Sequence, residues 1–351
     1  MTSPRPAARP APWVVVGLDN GGTANNATVL TSAGDFLVDR LVEVPSRVVE
    51  GTAVAVEAMV EALETVLATT GVERSAVRAV GLDTPGPASA DGVISSRGAT
   101  NFSDPEWWGF DVRGALEARL GLPVVYNNDG NAAALYAHHE HFGPASTQRS
   151  SVSAIVGTGL GGGVVERGQV VRGAAGMAGE LGHVQIPMAG LLEPDQPVPQ
   201  CNCGNAGDVE SVASLTGIVK NLLPYWLSRY PDHPLAAMEL RAAAKSVRGL
   251  AAAGEELALK VFAQQATALG RLFTLAANFT DPHAYFVGGG VVEAEPSFRD
   301  WFVGKIVEAT DLRAEQRAVA TVELIPHLDM AGARGAAVAA LAVAARQSAD
   351  S

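Results

Sequence analysis

Asp19-Asn20-Gly21-Gly22-Thr23, directly behind the apolar run Trp13-Val14-Val15-Val16-Gly17-Leu18, is the stretch that decides the fold. An apolar run ending in a polar, glycine-rich turn reads as a buried strand feeding a loop that holds phosphate. Glycines there are expected to take positive φ and bring backbone N–H groups to an anion, and Thr23 adds a hydroxyl donor. The design recurs far downstream, where Ser153-Ala154-Ile155-Val156 enters Gly157-Thr158-Gly159-Leu160-Gly161-Gly162-Gly163 and then Val164-Val165. Two such hairpins in one chain predict a nucleotide held between two similar domains.

Composition permits this. A chain of 351 residues exceeds a comfortable single core, and with 48% hydrophobic and 18% charged residues it can fill two. The net charge of −12 and pI near 5.0 exclude general nucleic-acid binding and attraction to anionic membranes, which need a basic face. A small-molecule ligand fits better. No apolar stretch is expected to reach the roughly 18–20 residues of a membrane span, and the proline-rich residues 1–12 have no secretory apolar core. They read as a disordered tail, and the location as cytoplasmic. Cys201 and Cys203, the only cysteines, are too close for an ordinary disulfide and suggest a reducing compartment or a metal.

Along the chain, Val14–Leu18, Ala27–Leu30 and Phe36–Val44 are expected as strands of a meander with a turn at Ala33-Gly34. Ala53–Leu67 follows as a helix with Val56, Met59, Val60, Leu63 and Leu67 on one face. Val77–Leu82 reads as a strand and Ala115–Leu120 as a helix closed by Gly121. Val124-Val125-Tyr126 then runs through the turn Asn127-Asn128-Asp129-Gly130-Asn131 into a helix over Ala132–His138, which puts polar side chains at the carboxyl edge of a sheet, where α/β ligand sites lie. After residue 150 the plan restarts, with a helix at Leu257–Thr280, a strand Tyr285–Val287 ending in Gly288-Gly289-Gly290, and a last helix at Gly335–Ala345. Gly157, Gly159 and Gly162 match a dinucleotide fingerprint, but the following residues read as a β-hairpin rather than a helix, and there is no Walker lysine. His138, His139 and His141 lack any motif and read as a helix end with a solvated flank.

Taken in order, Asp19–Thr23, Asn128–Ala134, Gly157–Gly163, Gly179-Glu180-Leu181-Gly182-His183, Cys201–Asp208 and Gly288–Gly290 resemble the ROK (repressor, ORF, kinase) family of sugar kinases and related repressors, from about Val14 to Ala345. The resemblance implies an α/β protein of the actin-like ATPase (ribonuclease H-like) fold, two similar domains around a central cleft. On that plan residues 13–130 form the first domain, 131–334 the second, and a helix at about 335–348 packs back on the first. It implies an ATP-dependent, glucokinase-like sugar kinase using Mg²⁺, with Asp129 as general base for a sugar hydroxyl, the 6-OH of glucose being the first choice. It places Asn101, Asn128, Asp129, Glu180, His183 and Glu210 on the sugar. Asp19, Gly21, Gly22 and Thr23 fall near Mg²⁺ and phosphate, as do Gly157, Thr158 and Gly159, with Gly288, Gly289 and Gly290 at adenosine. A homodimer is also implied.

Two departures stand out. In the family a structural zinc is held by one histidine and three cysteines, whereas here the third cysteine position is Asp208. His183, Cys201, Cys203 and Asp208 still offer four ligands, against the alternative of a metal-free loop. Asn26 replaces the basic residue that many relatives carry three places after the threonine. Asp129 has its own plain alternative, a helix cap. A repressor would need a DNA-reading domain ahead of the first strand, where this sequence has about a dozen residues. A non-catalytic sugar binder, or a kinase for an amino or N-acetyl sugar, remain as alternatives, and loops around residues 84–108 and 183–210 are expected to decide the sugar.

Overall fold

The structure is a computed structural model, and the residues it describes are 13–86, 89–95, 102 and 104–349. The chain divides into two compact units, residues 1–132 with 332–351, and residues 133–331.

The first unit is built on β1 (Val14–Asn20), β2 (Ala24–Thr31), β3 (Val42–Pro45), β4 (Val77–Thr84) and β5 (Val124–Asn128), in the order β3-β2-β1-β4-β5. The first three strands are antiparallel, and β4 and β5 run parallel to β1. Alternation along β1 gives the sheet two different faces. Val14, Val16 and Leu18 join Val80 and Leu82 in the core beneath α1 (Thr52–Thr70) and α2 (Val112–Leu120). Helix α1 buries Val56, Met59, Val60, Leu63 and Leu67 there, and α2 closes at Gly121 with φ 67°. Gly17 and Gly81 lie on the opposite face, where methyl groups would come within 2.0 Å of the Ala333 carbonyl and 1.9 Å of the Ala336 carbonyl. Only glycine allows the carboxyl-terminal helix Ala331–Ala349 to approach the sheet this closely.

Three expectations need correction. The strand expected at Phe36–Val44 shrinks to Val42–Pro45 plus a single bridge between Leu30 and Phe36. The carbonyls of Val38 and Asp39 accept bonds from the Arg334 guanidinium instead of from a neighbouring strand. The helix expected from Ala132 begins earlier and runs longer, as α3 (Asp129–Phe142). Finally, Leu328–Gln347, with hydropathy 1.4, is long and apolar enough to cross a membrane by length and composition, although none was expected. Its alanines and glycines are what the close packing on β1 and β4 requires, and half of that window is buried.

The second unit carries β6 (Ser150–Val156), β7 (Leu160–Glu166), β8 (Gln169–Val170), β9 (Ala284–Gly289) and β10 (Thr321–Leu324), in the order β10-β9-β6-β7-β8. Read from β8, this is the first sheet's path again: three antiparallel strands, then two parallel to the first. The helix Glu256–Thr280 supplies much of the core through Val261, Leu269, Leu272 and Phe273. Glu255 caps it by accepting the N–H groups of Leu257 and Ala258, and Asp281 ends it in the left-handed region. The doubled α/β plan is the one the resemblance implies.

Candidate active site

Three carboxylates gather in the first unit. Asp19, near the end of β1, is half-buried and accepts a 2.9 Å hydrogen bond at Oδ2 from Asn26 Nδ2, across the β1–β2 ladder. Asn26 thus places a neutral donor on Asp19. Asp129 opens α3 and stays accessible to solvent, with Oδ1 accepting the N–H of Gly130 at 2.8 Å. The capping bond belongs to its neighbour, since Asn128 Oδ1 accepts the N–H of Asn131 at 2.8 Å.

Asp83, the third, was not expected from the sequence. It is 1% exposed, and neither carboxylate oxygen has a hydrogen-bond partner. Desolvation by the surrounding protein raises the pKa of all three groups. For Asp19 the Asn26 bond offsets part of this and the charge of Asp129 adds to it, while Asp83 is pushed well up by burial and then by Asp19 and Asp129. A repeated tetrapeptide marks the place: Val-Gly-Leu-Asp occurs at Val16–Asp19 and again at Val80–Asp83, and β1 and β4 set the two copies side by side in register.

The first hairpin turns tightly, with Gly21 N–H donating to the Ala24 carbonyl at 2.9 Å and Thr23 exposed. None of Gly21, Gly22, Gly157 or Gly159 has a positive φ, so conformational freedom is not what requires them. Close approach accounts for some. A methyl on Gly21 would lie 3.1 Å from the Ala24 carbonyl, and one on Gly159 would lie 2.7 Å from Glu210 Oε2. In the third glycine segment only Gly289 is left-handed, at φ +100°, where a methyl would also meet the Val156 carbonyl at 2.0 Å. The Gly290 carbonyl accepts from Arg248.

Glu210 does more in the structure than the sequence suggested. It opens the short helix Glu210–Ala213, and its Oε2 accepts the N–H of Leu160 at 2.8 Å, at the foot of the second glycine hairpin. The following residues hold the same turn: Leu215 N–H reaches the Gly157 carbonyl at 3.0 Å, and Thr216 Oγ1 reaches the Thr158 carbonyl at 2.8 Å.

His183, Cys201, Cys203 and Asp208 converge, with one ligand atom from each lying within 4.8 Å of all the others. Val209 N–H donates to the Val184 carbonyl at 3.0 Å, which lays the histidine segment beside Asp208. Buried Asp208 receives the Ser211 N–H on Oδ1 at 2.9 Å. Its Oδ2 lies 3.4 Å from His183 Nδ1 and 3.5 Å from Cys203 Sγ, and Cys201 Sγ lies 3.8 Å from the same Nδ1. Tetrahedral ligands about 2.0–2.3 Å from zinc sit about 3.3–3.8 Å from one another, the spacing of these three pairs, and the donor set of imidazole, two thiols and a carboxylate suits the ion. Burial, and then Asp208, push the Cys201 thiol pKa well up in the metal-free protein. His183 Nδ1 faces this cluster.

Glu180 is half-buried just before the turn Leu181–His183. Asn101 lies outside the described residues. Trp107 is buried, its Nε1 donating to the Val48 carbonyl at 3.1 Å, while Trp108 is exposed. His138 is not on a solvated flank as expected: it is 1% exposed and bonded at both nitrogens, to Ser151 Oγ at 2.8 Å and the Ser146 carbonyl at 2.9 Å.

Comparison with known proteins agrees with this geometry. The family model described as ROK family matches residues 15–343. A glucokinase of Halalkalibacterium halodurans is 33% identical over 283 residues, 80% of this chain and 81% of that protein. A crystal structure of a ROK hexokinase from Thermus thermophilus superposes over 97% of this chain and 100% of its own, with a TM-score of 0.73 and 31% identity. A ROK family glucokinase from Streptomyces griseus, solved with glucose and AMPPNP, covers 93% and 99% with a TM-score of 0.65 and 27% identity. The fold is the two-domain actin-like ATPase fold, and the chain belongs to the ROK family.

Proposed function

We propose that this chain is an ATP-dependent sugar kinase that phosphorylates a hexose hydroxyl, the 6-hydroxyl of glucose being the first choice, with Asp129 as general base. The observation that carries the reading is the division of labour at the start of α3. Asn128 makes the capping bond, so the accessible Asp129 carboxylate is left available for proton transfer. It takes the proton of the sugar hydroxyl as that oxygen bonds to the γ-phosphorus, the bond to the β–γ bridging oxygen breaks, and ADP leaves. Mg²⁺, when bound, offsets charge on the phosphate oxygens. The N–H groups of Gly22, Thr23, Thr158 and Gly159 serve the phosphates, Gly21 and Gly157 shape the two turns through their own N–H bonds to the Ala24 and Gly159 carbonyls, and Gly288, Gly289 and Gly290 serve the adenosine. Asn101, Asn128, Glu180, His183 and Glu210 hold the sugar.

A coupled assay of ADP release across neutral, amino and N-acetyl hexoses tests the activity. Hexose-dependent release is expected, with its substrate order naming the sugar. Sugar binding with no release would make the protein a non-catalytic binder.

We further propose that His183, Cys201, Cys203 and Asp208 hold a structural zinc ion. Purified, untagged protein is expected to carry close to one zinc per chain, to keep it in Asp208→Cys and to lose it in Asp208→Ala. No zinc in the wild type, or full zinc in Asp208→Ala, would mean that the loop is held another way. A homodimer completes the reading, and a monomer mass by light scattering would dismiss it.

A further inference from the structure

A fully buried carboxylate with no hydrogen-bond partner is costly, because its charged form loses water and gains nothing in return. Asp83 is such a group, and it sits in register beside Asp19. Among the described residues, no lysine or arginine pairs with Asp19, Asp83 or Asp129. The relief that burial leaves Asp83 is its own backbone N–H, too little to offset the loss of water and the charges of Asp19 and Asp129.

The surroundings are shaped for an ion. A methyl group built on Gly332 would lie 3.0 Å from both Asp83 Oδ2 and Asp19 Cγ, so the two carboxylates share one small space that the glycine leaves unfilled. Gly332 stands in the first turn of the helix Ala331–Ala349, whose amino-terminal dipole favours the ionised form of carboxylates beneath it. Accessibility is graded: Asp129 is exposed, Asp19 half-buried and Asp83 closed off.

We propose that Asp83 completes, with Asp19, a site for a hard divalent cation at the carboxyl ends of β1 and β4, Asp83 being the inner ligand. Magnesium and manganese take carboxylate oxygens and are commonly held by one or two of them while keeping several waters. The inference deepens the proposed kinase reaction by naming where its cation is anchored, and it rests on that reading only for the ion's use. Neither Asp19 nor Asp83 needs the nucleotide in order to bind.

Mn²⁺ titrated into nucleotide-free protein, followed by loss of the free-ion electron paramagnetic resonance signal, tests it. Manganese prefers oxygen ligands, which keeps it off the cysteines of the His183–Asp208 cluster. Wild-type protein is expected to bind one Mn²⁺ per chain saturably. Asp83→Asn, which keeps the shape and removes the charge, is expected to weaken binding at least tenfold while raising the metal-free thermal midpoint. Gly332→Ala, which fills the shared space, is expected to weaken it as well and serves if the first variant fails to fold. Wild type without saturable binding, or Asp83→Asn with unchanged affinity, would overturn the site. Loss of sugar-dependent ADP release with Mn²⁺ binding intact would instead count against the kinase reading.

Discussion

The two units lay five strands along the same path, yet they put opposite chemistry at the same strand ends. In the first, β1 and β4 bring Asp19 beside Asp83; in the second, β6 and β9 bring Ile155 beside Gly288 and Val156 beside Gly289. One unit offers carboxylates there. The other has stripped its side chains away, since at Gly289 both the left-handed backbone and the Val156 carbonyl refuse a Cβ. On the proposed kinase reading the two surfaces are the two kinds that phosphoryl transfer draws on, acidic groups for a proton and a cation, and backbone donors for phosphate oxygens.

Removing the chemistry of the first unit should give the largest effect. Asp129→Asn is expected to lower kcat about 10²–10⁴-fold while sugar affinity stays within a few-fold, because the base acts only as the hydroxyl attacks. More than about a tenth of wild-type kcat in the variant would remove Asp129 from that role. The protein around the accessible Asp129 carboxylate desolvates it enough to raise its pKa, against the Gly130 N–H bond, and a base works only when deprotonated. Activity should therefore fall as pH drops through a value higher than that of an ordinary aspartate, and that acid limb should disappear in whatever activity the variant retains.

Much of this contrast was legible in the sequence, because it resides in local patterns. Both glycine hairpins and their flanking strands announce themselves by an apolar run ending in glycine and a polar residue, whereas Glu180 and His183 stood out only by resemblance. What stayed hidden depends on pairing between distant segments. Asp83 looked like the end of one more strand until β4 was laid against β1. The second duty of Glu210 depends on where residues 210–216 cross the β6–β7 turn. The length of β3 was misjudged because Arg334, almost 300 residues later, takes the carbonyls of Val38 and Asp39. His138 was misplaced because helix periodicity does not reveal that Ser146 and Ser151 fold back over the end of α3.

A change at Glu210 sharpens the comparison from the side of the second unit. Glu210→Ala removes the proposed sugar contact together with the acceptor that steadies Leu160, so KM for nucleotide as well as for sugar is expected to rise, each roughly tenfold for a lost bond to a charged group. Glu210→Gln keeps an oxygen able to accept the Leu160 N–H, and should raise the sugar KM while leaving the nucleotide KM close to wild type. Equal nucleotide KM values in all three proteins would show that the hairpin does not depend on this side chain.

The smallest effect concerns a buried ionisable group that, unlike Asp83, is fully satisfied. The Ser146 carbonyl can only accept, so His138 Nε2 carries the proton and neutral Nδ1 accepts from the Ser151 hydroxyl. Burial depresses the His138 pKa, with the Ser146 bond opposing it in part and the neighbouring histidines adding to it. The sign follows from linkage: the unfolded chain, titrating near 6.5, takes up the proton before the folded one, so the stability His138 contributes is complete above that pH and is lost as pH falls through the depressed folded value. Denaturant midpoints are therefore expected to drop between pH 8 and 5.5 more in wild type than in His138→Gln, which should itself be less stable at pH 8 by about 1–3 kcal/mol for the bonds left unmade. Wild type and variant losing stability in parallel across that range would mean that folded His138 takes up its proton as readily as the unfolded chain does. The difference between a satisfied buried group and an orphaned one would then rest on Asp83 alone.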